Sequence, residues 1–205
     1  MNGLFEDVIQ TIGFDQHYIL KDIITLHCPW GFTLDPTFGH GAFYKAGIKV
    51  PEYCFDIEPK DPRATQADCQ SLPLESESIY SVLFDPPFLA GGGKSGKIFD
   101  LYSGFKTVDD LRQMYNGAMA EFWRVLKPSG ILVFKCQDFV NGGRQHFTHI
   151  DVFNKAVEMG YKVVDLFILL SRSVAIQSHI KKQRHARKMH SYFWVFRKIP
   201  LRETS

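Results

Sequence analysis

The sequence predicts an α/β fold: a mostly parallel β-sheet with helices on both faces and an antiparallel strand pair at its C-terminal end. Three observations carry this expectation. Short apolar runs that read as strands alternate with segments whose apolar residues recur at helical spacing, the pattern of βαβ units. Acids stand at the tips of successive runs, at Asp35, Asp56, Asp68 and Asp85. The last of these opens Asp85-Pro86-Pro87-Phe88, directly behind the apolar run from Ile79 to Phe84. Two prolines behind a strand stop the ladder and fix the backbone as it leaves the sheet. In open α/β sheets ligands bind at that carboxyl end.

At 205 residues the chain is long enough for one domain with a sizeable core, and residues 1–205 are read as one. Hydrophobic content of 45% and charged content of 22% are those of a soluble globular protein. The net charge of +2 does not by itself imply nucleic acid. The charge is uneven, because His179 to Lys198 holds seven Lys or Arg and no acid. Cys28, Cys54, Cys69 and Cys136 lack paired spacing and read as thiols in a reducing cytosol. No charged-then-apolar leader opens the sequence and no apolar run reaches membrane-spanning length. The expectation is therefore a cytoplasmic protein without membrane contact.

The elements follow in order. Residues 1–30 form a helical N-terminal segment in which apolar positions at helical spacing are split by Gly13 into two short helices. Residues 31–35 make a short strand, 36–41 a glycine turn, and 42–47 open a helix. Residues 53–56, 64–68 and 79–84 make the next three strands. Residues 107–126 form a long amphipathic helix, capped by Thr107, with Asp109 and Asp110 in its first turn and Lys127-Pro128 behind it. A fifth strand spans 130–135, and a helix over 149–159 closes at Gly160. Strands over 162–170 and 191–197 have no helix between them and are expected to pair antiparallel.

A strand, a glycine turn and a helix start in succession put backbone N–H groups at a helix N-terminus, as in nucleotide-binding corners. Gly39-His40-Gly41 is not a dinucleotide fingerprint, since Tyr44 stands where the third glycine belongs. That disfavours a nicotinamide oxidoreductase. An acid at the second strand's tip, Asp56, is placed to bond ribose hydroxyls. Asp68 is placed to receive an adenine amino group. A single acid of this kind is more often a solvated loop carboxylate; three at successive strand tips weaken that reading. At Asp85 the acid and a nearby carbonyl can accept from an amine, and Phe88 offers a flat face to a base.

The ordered set Asp35-Pro-Thr-Phe-Gly-His-Gly41, Phe55-Asp56-Ile-Glu58, Asp68 and Asp85-Pro-Pro-Phe88 resembles the motifs of the amino-group DNA methyltransferases. These are S-adenosylmethionine-dependent enzymes of the Rossmann-like class I methyltransferase fold, acting on exocyclic amines of adenine or cytosine. The resemblance spans roughly residues 31–198, and Leu126-Lys-Pro-Ser-Gly130 fits it too. It implies that Asp35, Phe38, Gly39 and Gly41 line the methionine part of S-adenosylmethionine. Asp56 would hold the ribose, with Glu58 as a rival, and Asp68 the adenine edge. The family's first-motif aromatic is displaced here by Thr37. Asp85, Pro86, Pro87 and Phe88 would form the catalytic motif, and its Asp and Phe lean towards adenine. Asp rather than Asn at position 85 disfavours a protein-amine methyltransferase.

Methyl transfer of this kind needs no metal, and His179, His185 and His190 lack metal-site spacing. Residues 89–106 read as a lid loop beside the site. Gly91-Gly-Gly-Lys-Ser-Gly96 fails the phosphate-loop pattern because Phe88 stands at its first glycine position. Lys94 and Lys97 of that loop are expected to meet a nucleic-acid backbone. So are Lys181, Lys182, Arg184, Arg187 and Lys188 of a basic insert over residues 171–190. Gln137 or Asp138 is expected to border the substrate pocket. The sequence contains no sizeable recognition domain, so a homodimer or a partner subunit is open. The expected function is methylation of an exocyclic base amine, N6 of adenine in DNA first. RNA base methylation and a non-catalytic nucleic-acid-binding subunit remain as alternatives.

Overall fold

A computed structural model describes residues 8–90, 105–172 and 184–199. In chain order the elements are β1 (Ile12–Gly13), α1 (Gln16–His27), β2 (Leu34–Asp35), a 3-10 turn (Ala42–Ala46), β3 (Tyr53–Asp56), β4 (Thr65–Gln66) and β5 (Ile79–Phe84). Then follow α2 (Val108–Val125), β6 (Leu126–Cys136), β7 (Phe139–Asn141), β8 (Arg144–His146), α3 (Thr148–Glu158), β9 (Tyr161–Leu170) and β10 (His190–Lys198).

Eight strands form one sheet in the order β1-β9-β10-β6-β5-β2-β3-β4. Neighbours are parallel throughout, except that β10 runs antiparallel to both β6 and β9. The predicted antiparallel pair is thus present, and β10 inserts between β9 and β6. Strand periodicity assigns the two faces. Phe84, Phe134 and Phe196 pack with Phe122 and Met119 of α2 in one core. Their neighbours Leu83, Val133 and Val195 pack with Ile19, Leu20 and Ile23 of α1 in a second core on the opposite face. Because β5 and β6 are covered on both sides, they read as continuous apolar runs rather than alternating ones.

Helix α2 starts where its chemistry says it should. The Thr107 side chain accepts from the Asp110 amide, and the Asp110 carboxylate accepts from the Thr107 amide, both at 3.0 Å. Behind it, Pro128 lies inside the observed limits of β6, which is longer than expected. It is tolerated because the β5–β6 register slips there, with Ser129 at φ 66°.

One expectation is corrected and one element is added. The N-terminal segment does not contain two helices split by Gly13. Ile12 and Gly13 form an edge strand on β9, and α1 alone is helical, started by Asp15, whose carboxylate accepts from the His17 amide at 2.7 Å. Residues 1–7 lie outside the described residues. Pairing with β9 supplies the ladder that helical spacing concealed. The added element is the hairpin β7–β8, which is not among the expected elements. Gly142 and Gly143 both have positive φ, 56° and 78°, and form its two-residue turn. Among the described residues no helix is long and apolar enough to cross a membrane. The four cysteines are unpaired, and Cys28, Cys54 and Cys136 are buried.

Thr107→Ala removes one half of the reciprocal cap. It is expected to lower the unfolding free energy by about 1 kcal/mol, read by urea denaturation. An unchanged midpoint would mean that the cap does not hold the start of α2.

Candidate active site

The parallel strands end along one edge of the sheet. The strand order reverses between β2 and β5, since the chain runs outward from β2 to β4 and then returns to the other side of β2. A crevice opens at such a reversal. Register sets what lines it. Leu34 stands opposite Val82, and Phe84 opposite Phe134. Asp85 is therefore level with Lys135, the last residue but one of β6, and Asp35 closes the adjacent strand β2.

Asp85 divides its carboxylate. Oδ2 accepts from Lys135 Nζ at 3.1 Å. Oδ1 is buried and has no hydrogen-bond partner among the described residues. Such an atom carries a desolvation cost until a donor arrives. Lys135 is 8% exposed, and its ammonium lies 5.1 Å from the Phe43 ring, 5.4 Å from Phe88 and 5.5 Å from Phe193. The Pro-Pro turn is pinned twice. The Asp85 amide donates to Thr37 Oγ1 at 3.0 Å, and the Tyr115 hydroxyl donates to the Pro87 carbonyl at 2.7 Å. Pro86 is buried, while Pro87 and Phe88 are half-buried.

Asp35 is 1% exposed, and both its oxygens are taken. Oδ1 accepts from the Thr37 amide at 2.9 Å, and Oδ2 from the Tyr44 hydroxyl at 2.7 Å. Burial pushes its carboxyl up to about 7; the Tyr44 and Thr37 hydrogen bonds oppose this and the Asp85 charge adds to it. The same burial, together with Asp35, pushes the Tyr44 hydroxyl far above its ordinary range.

The glycine turn is tight. Gly41 has φ +63°, and a Cβ there would meet an Arg63 nitrogen at 2.6 Å and the Phe38 ring at 2.9 Å. Phe38 itself is 4% exposed. Its ring stacks on Tyr44 at 5.4 Å and lies under the Arg63 guanidinium at 5.0 Å. The Gly39 amide donates to Asp56 Oδ2 at 2.8 Å, and the Glu58 amide to Asp56 Oδ1 at 2.9 Å. Glu58 is exposed and pairs with Lys60 at 2.9 Å. Beyond β4, the Ala67 amide donates to the Asp56 carbonyl. Asp68 is exposed there and accepts from the Gln70 amide at 2.9 Å.

The fold thus brings Asp35, Asp85 and Phe88 together with Lys135, and it joins Gly39 to Asp56 at the next strand tip. Gln137 and Asp138 are engaged within the protein. Gln137 donates to the His190 carbonyl at 2.9 Å, and Asp138 Oδ1 stands 2.7 Å from His149 Nδ1. Of the basic positions, Arg184 and Arg187 are exposed, and Lys188 lies 5.5 Å over the Phe147 ring. Lys94, Lys97, Lys181 and Lys182 lie outside the described residues, as does most of the expected lid over 89–106. Sequence reasoning missed Lys135, Thr37, Tyr44 and Tyr115. A lone lysine closing the apolar run Ile131–Phe134 was the available signal for the first.

No protein-family model and no curated protein matches the sequence. Solved structures do match. The [4+2]-cyclase SpnF aligns at 14% identity over 90% of this chain and 80% of its own, with TM-score 0.56. TrmN from Thermus thermophilus aligns at 14% identity over 89% and 49%, with TM-score 0.53. A complex of the Haloferax volcanii Trm112 methyltransferase activator with a candidate methyltransferase aligns at 12% identity over 87% of both chains, with TM-score 0.52. The chain has a Rossmann-like methyltransferase fold. It spans little more than half, 56%, of a candidate DNA modification methylase, also from Thermus thermophilus, matched at 18% identity over 68% of this chain with TM-score 0.47.

The Asp35 carboxyl yields a pH prediction. An unfolded chain releases this proton near the ordinary value of 3.8, whereas the folded one keeps it to about 7. Between those values the folded state binds more protons, so stability falls as pH rises through the window, by about 1.4 kcal/mol per pH unit at most. Asp35→Asn is expected to remove that slope in denaturation curves taken from pH 4 to 8. Parallel curves for the two proteins would mean that folded Asp35 titrates at its ordinary value.

Proposed function

We propose that this protein is an S-adenosylmethionine-dependent methyltransferase acting on an exocyclic amine of a nucleic-acid base, with N6 of adenine in DNA as the first target. The observation that carries this reading is Asp85 Oδ1, a buried carboxylate oxygen without a partner among the described residues, on a carboxylate whose Lys135 partner lies 5.4 Å from the Phe88 ring at the reversal of strand order. It is the acceptor an amine N–H requires, next to a face on which a base can stack.

The residues fit the cofactor. A Cβ at Gly39 would meet the Thr37 carbonyl oxygen at 4.0 Å, ordinary contact distance, so the turn's backbone is uncrowded there. Asp56 is half-buried at its strand tip, and each of its oxygens has a further lone pair for a ribose hydroxyl. Asp68 offers a carboxylate beyond the next strand. The packed ring of Phe38 and the occupied carboxylate of Asp35 support the corner from behind rather than lining it. Bound S-adenosylmethionine supplies a methyl group on a sulfonium, ready for direct displacement.

The chain's own residues handle the acceptor. A base amine is a poor nucleophile because its lone pair is delocalised into the ring. Hydrogen bonds from its two N–H groups to Asp85 Oδ1 and the Pro86 carbonyl favour a more tetrahedral nitrogen. The rigid turn, pinned by Thr37 and Tyr115, holds those acceptors in place for in-line attack. When nitrogen gains the methyl it must give up a proton, and Asp85 Oδ1 is the adjacent acceptor. In duplex DNA the base must first leave the stack. Stacking on Phe88 offsets part of that cost, by about 1–3 kcal/mol. Exposed Arg184 and Arg187 are suited to phosphates, and Lys94, Lys97, Lys181, Lys182 and Lys188 complete the proposed contact set.

The test is transfer of labelled methyl from S-adenosylmethionine to duplex DNA, single-stranded DNA and total RNA, followed by identification of the modified nucleoside. Methyladenine in DNA is expected. Asp85→Ala is expected to lose transfer by about 10²-fold or more while still binding the cofactor. Label in RNA alone would move the substrate to RNA. No label, with the cofactor bound, would point to a subunit that needs an active partner.

A further inference from the structure

The Asp85–Lys135 pair has features that a stabilising ion pair does not need. A buried pair is a weak source of stability, because desolvating both charges consumes most of what their attraction returns. Here the lysine ammonium lies within 5.5 Å of three aromatic ring centroids, those of Phe43, Phe88 and Phe193. It reaches one carboxylate oxygen, and the other has no partner among the described residues.

The neighbours make the charge matter. Asp35 from β2, Tyr44 from the 3-10 turn and Tyr115 from α2 all feel the Asp85 charge. Both hydroxyls are neutral over the working pH range, since burial pushes them well up. Asp35 is a second carboxylate at the adjacent strand tip, and two such groups cannot both ionise cheaply. Among the described residues, Lys135 is the cation within ion-pair distance of Asp85. Its ammonium is paired with Asp85 rather than with Asp35.

We propose that Lys135 is a positioning residue: it holds Asp85 ionised and oriented through Oδ2, and thereby presents Oδ1 to the acceptor amine. The last clause rests on the amine-methyltransferase reading; the pairing itself does not. In this role Lys135 touches neither the amine nor the methyl group. Its ammonium balances Asp85, while burial pushes the neighbouring Asp35 carboxyl up to about 7.

Two measurements separate the proposal from the wider reading. The first is a carbon NMR titration of the Asp85 carboxyl, assigned by its disappearance in Asp85→Asn. Lys135→Met fills the aromatic cage without charge and is expected to raise the Asp85 midpoint by about 1–3 pH units. Lys135→Arg is expected to restore most of the wild-type value. The second is the pH profile of methyl transfer. The acid limb of kcat/KM should move up by the same amount in Lys135→Met, with the dissociation constant of S-adenosylmethionine unchanged. An Asp85 midpoint that does not move overturns the proposal, whether or not the protein methylates nucleic acid. A Lys135→Met protein faster than wild type at every pH also overturns it, because the ammonium would then occupy the acceptor's place. A moved midpoint in a protein that methylates no nucleic acid upholds the pair and removes the substrate.

Discussion

Two carboxylates at neighbouring strand tips are the constraint around which this site is built. Parallel pairing of β2 with β5 brings Asp35 and Asp85 out at the same edge of the sheet. Both leave covered strands, so neither enjoys full hydration. Each is handled differently. Asp35 is sealed, with a tyrosine hydroxyl and a backbone amide on its two oxygens. Asp85 receives a cation on one oxygen and no partner among the described residues on the other. The 3-10 turn makes this asymmetry possible, because consecutive residues serve the two acids: Tyr44 bonds Asp35, and Phe43 walls in Lys135.

The sheet transmits the constraint outward. Thr37 closes the gap between the two tips by bonding the Asp35 carboxylate with its amide and the Asp85 amide with its hydroxyl oxygen. Tyr115 reaches the far side of the Pro-Pro turn from α2. The turn is therefore held from two sides by side chains whose own elements are anchored in the cores. Its stiffness belongs to the whole middle of the molecule and not to the prolines alone.

Much of this is legible in the sequence, and the failures have physical reasons. Strands β3 and β5 have the ends their residues announce, because each is an apolar run stopped by an acid. The cap of α2 is readable because a capping box is written within four consecutive residues, from Thr107 to Asp110. The hairpin β7–β8 carries a Gly142-Gly143 signal that is easily passed over, since strands of three residues leave little periodicity. Ile12 and Gly13 mislead because a two-residue edge strand takes its identity from β9, 156 positions away at Ile168. The insertion of β10 between β9 and β6 is likewise a statement about neighbours, which alternation along one strand does not record. Position along the chain identifies the tip acids but not their separate states. Whether an aspartate is sealed by Tyr44 or paired with Lys135 depends on contacts across 9 and 50 positions.

The fold does not by itself choose a chemistry. One of the structures that shares it is named for a cyclisation and another for a complex with a methyltransferase activator. What discriminates lies in a few atoms. A protein that only held a nucleotide would gain nothing from keeping Asp85 Oδ1 buried and unpaired beside a lysine; a hydroxyl or amide from the chain would remove the cost. A carboxylate with a lysine on one oxygen and, among the described residues, no donor on the other is an unfinished hydrogen-bond set. In the proposed function, the donor that completes it is the acceptor amine. Such an amine fits because its N–H groups satisfy the oxygen on binding and its nitrogen must shed a proton on reaction.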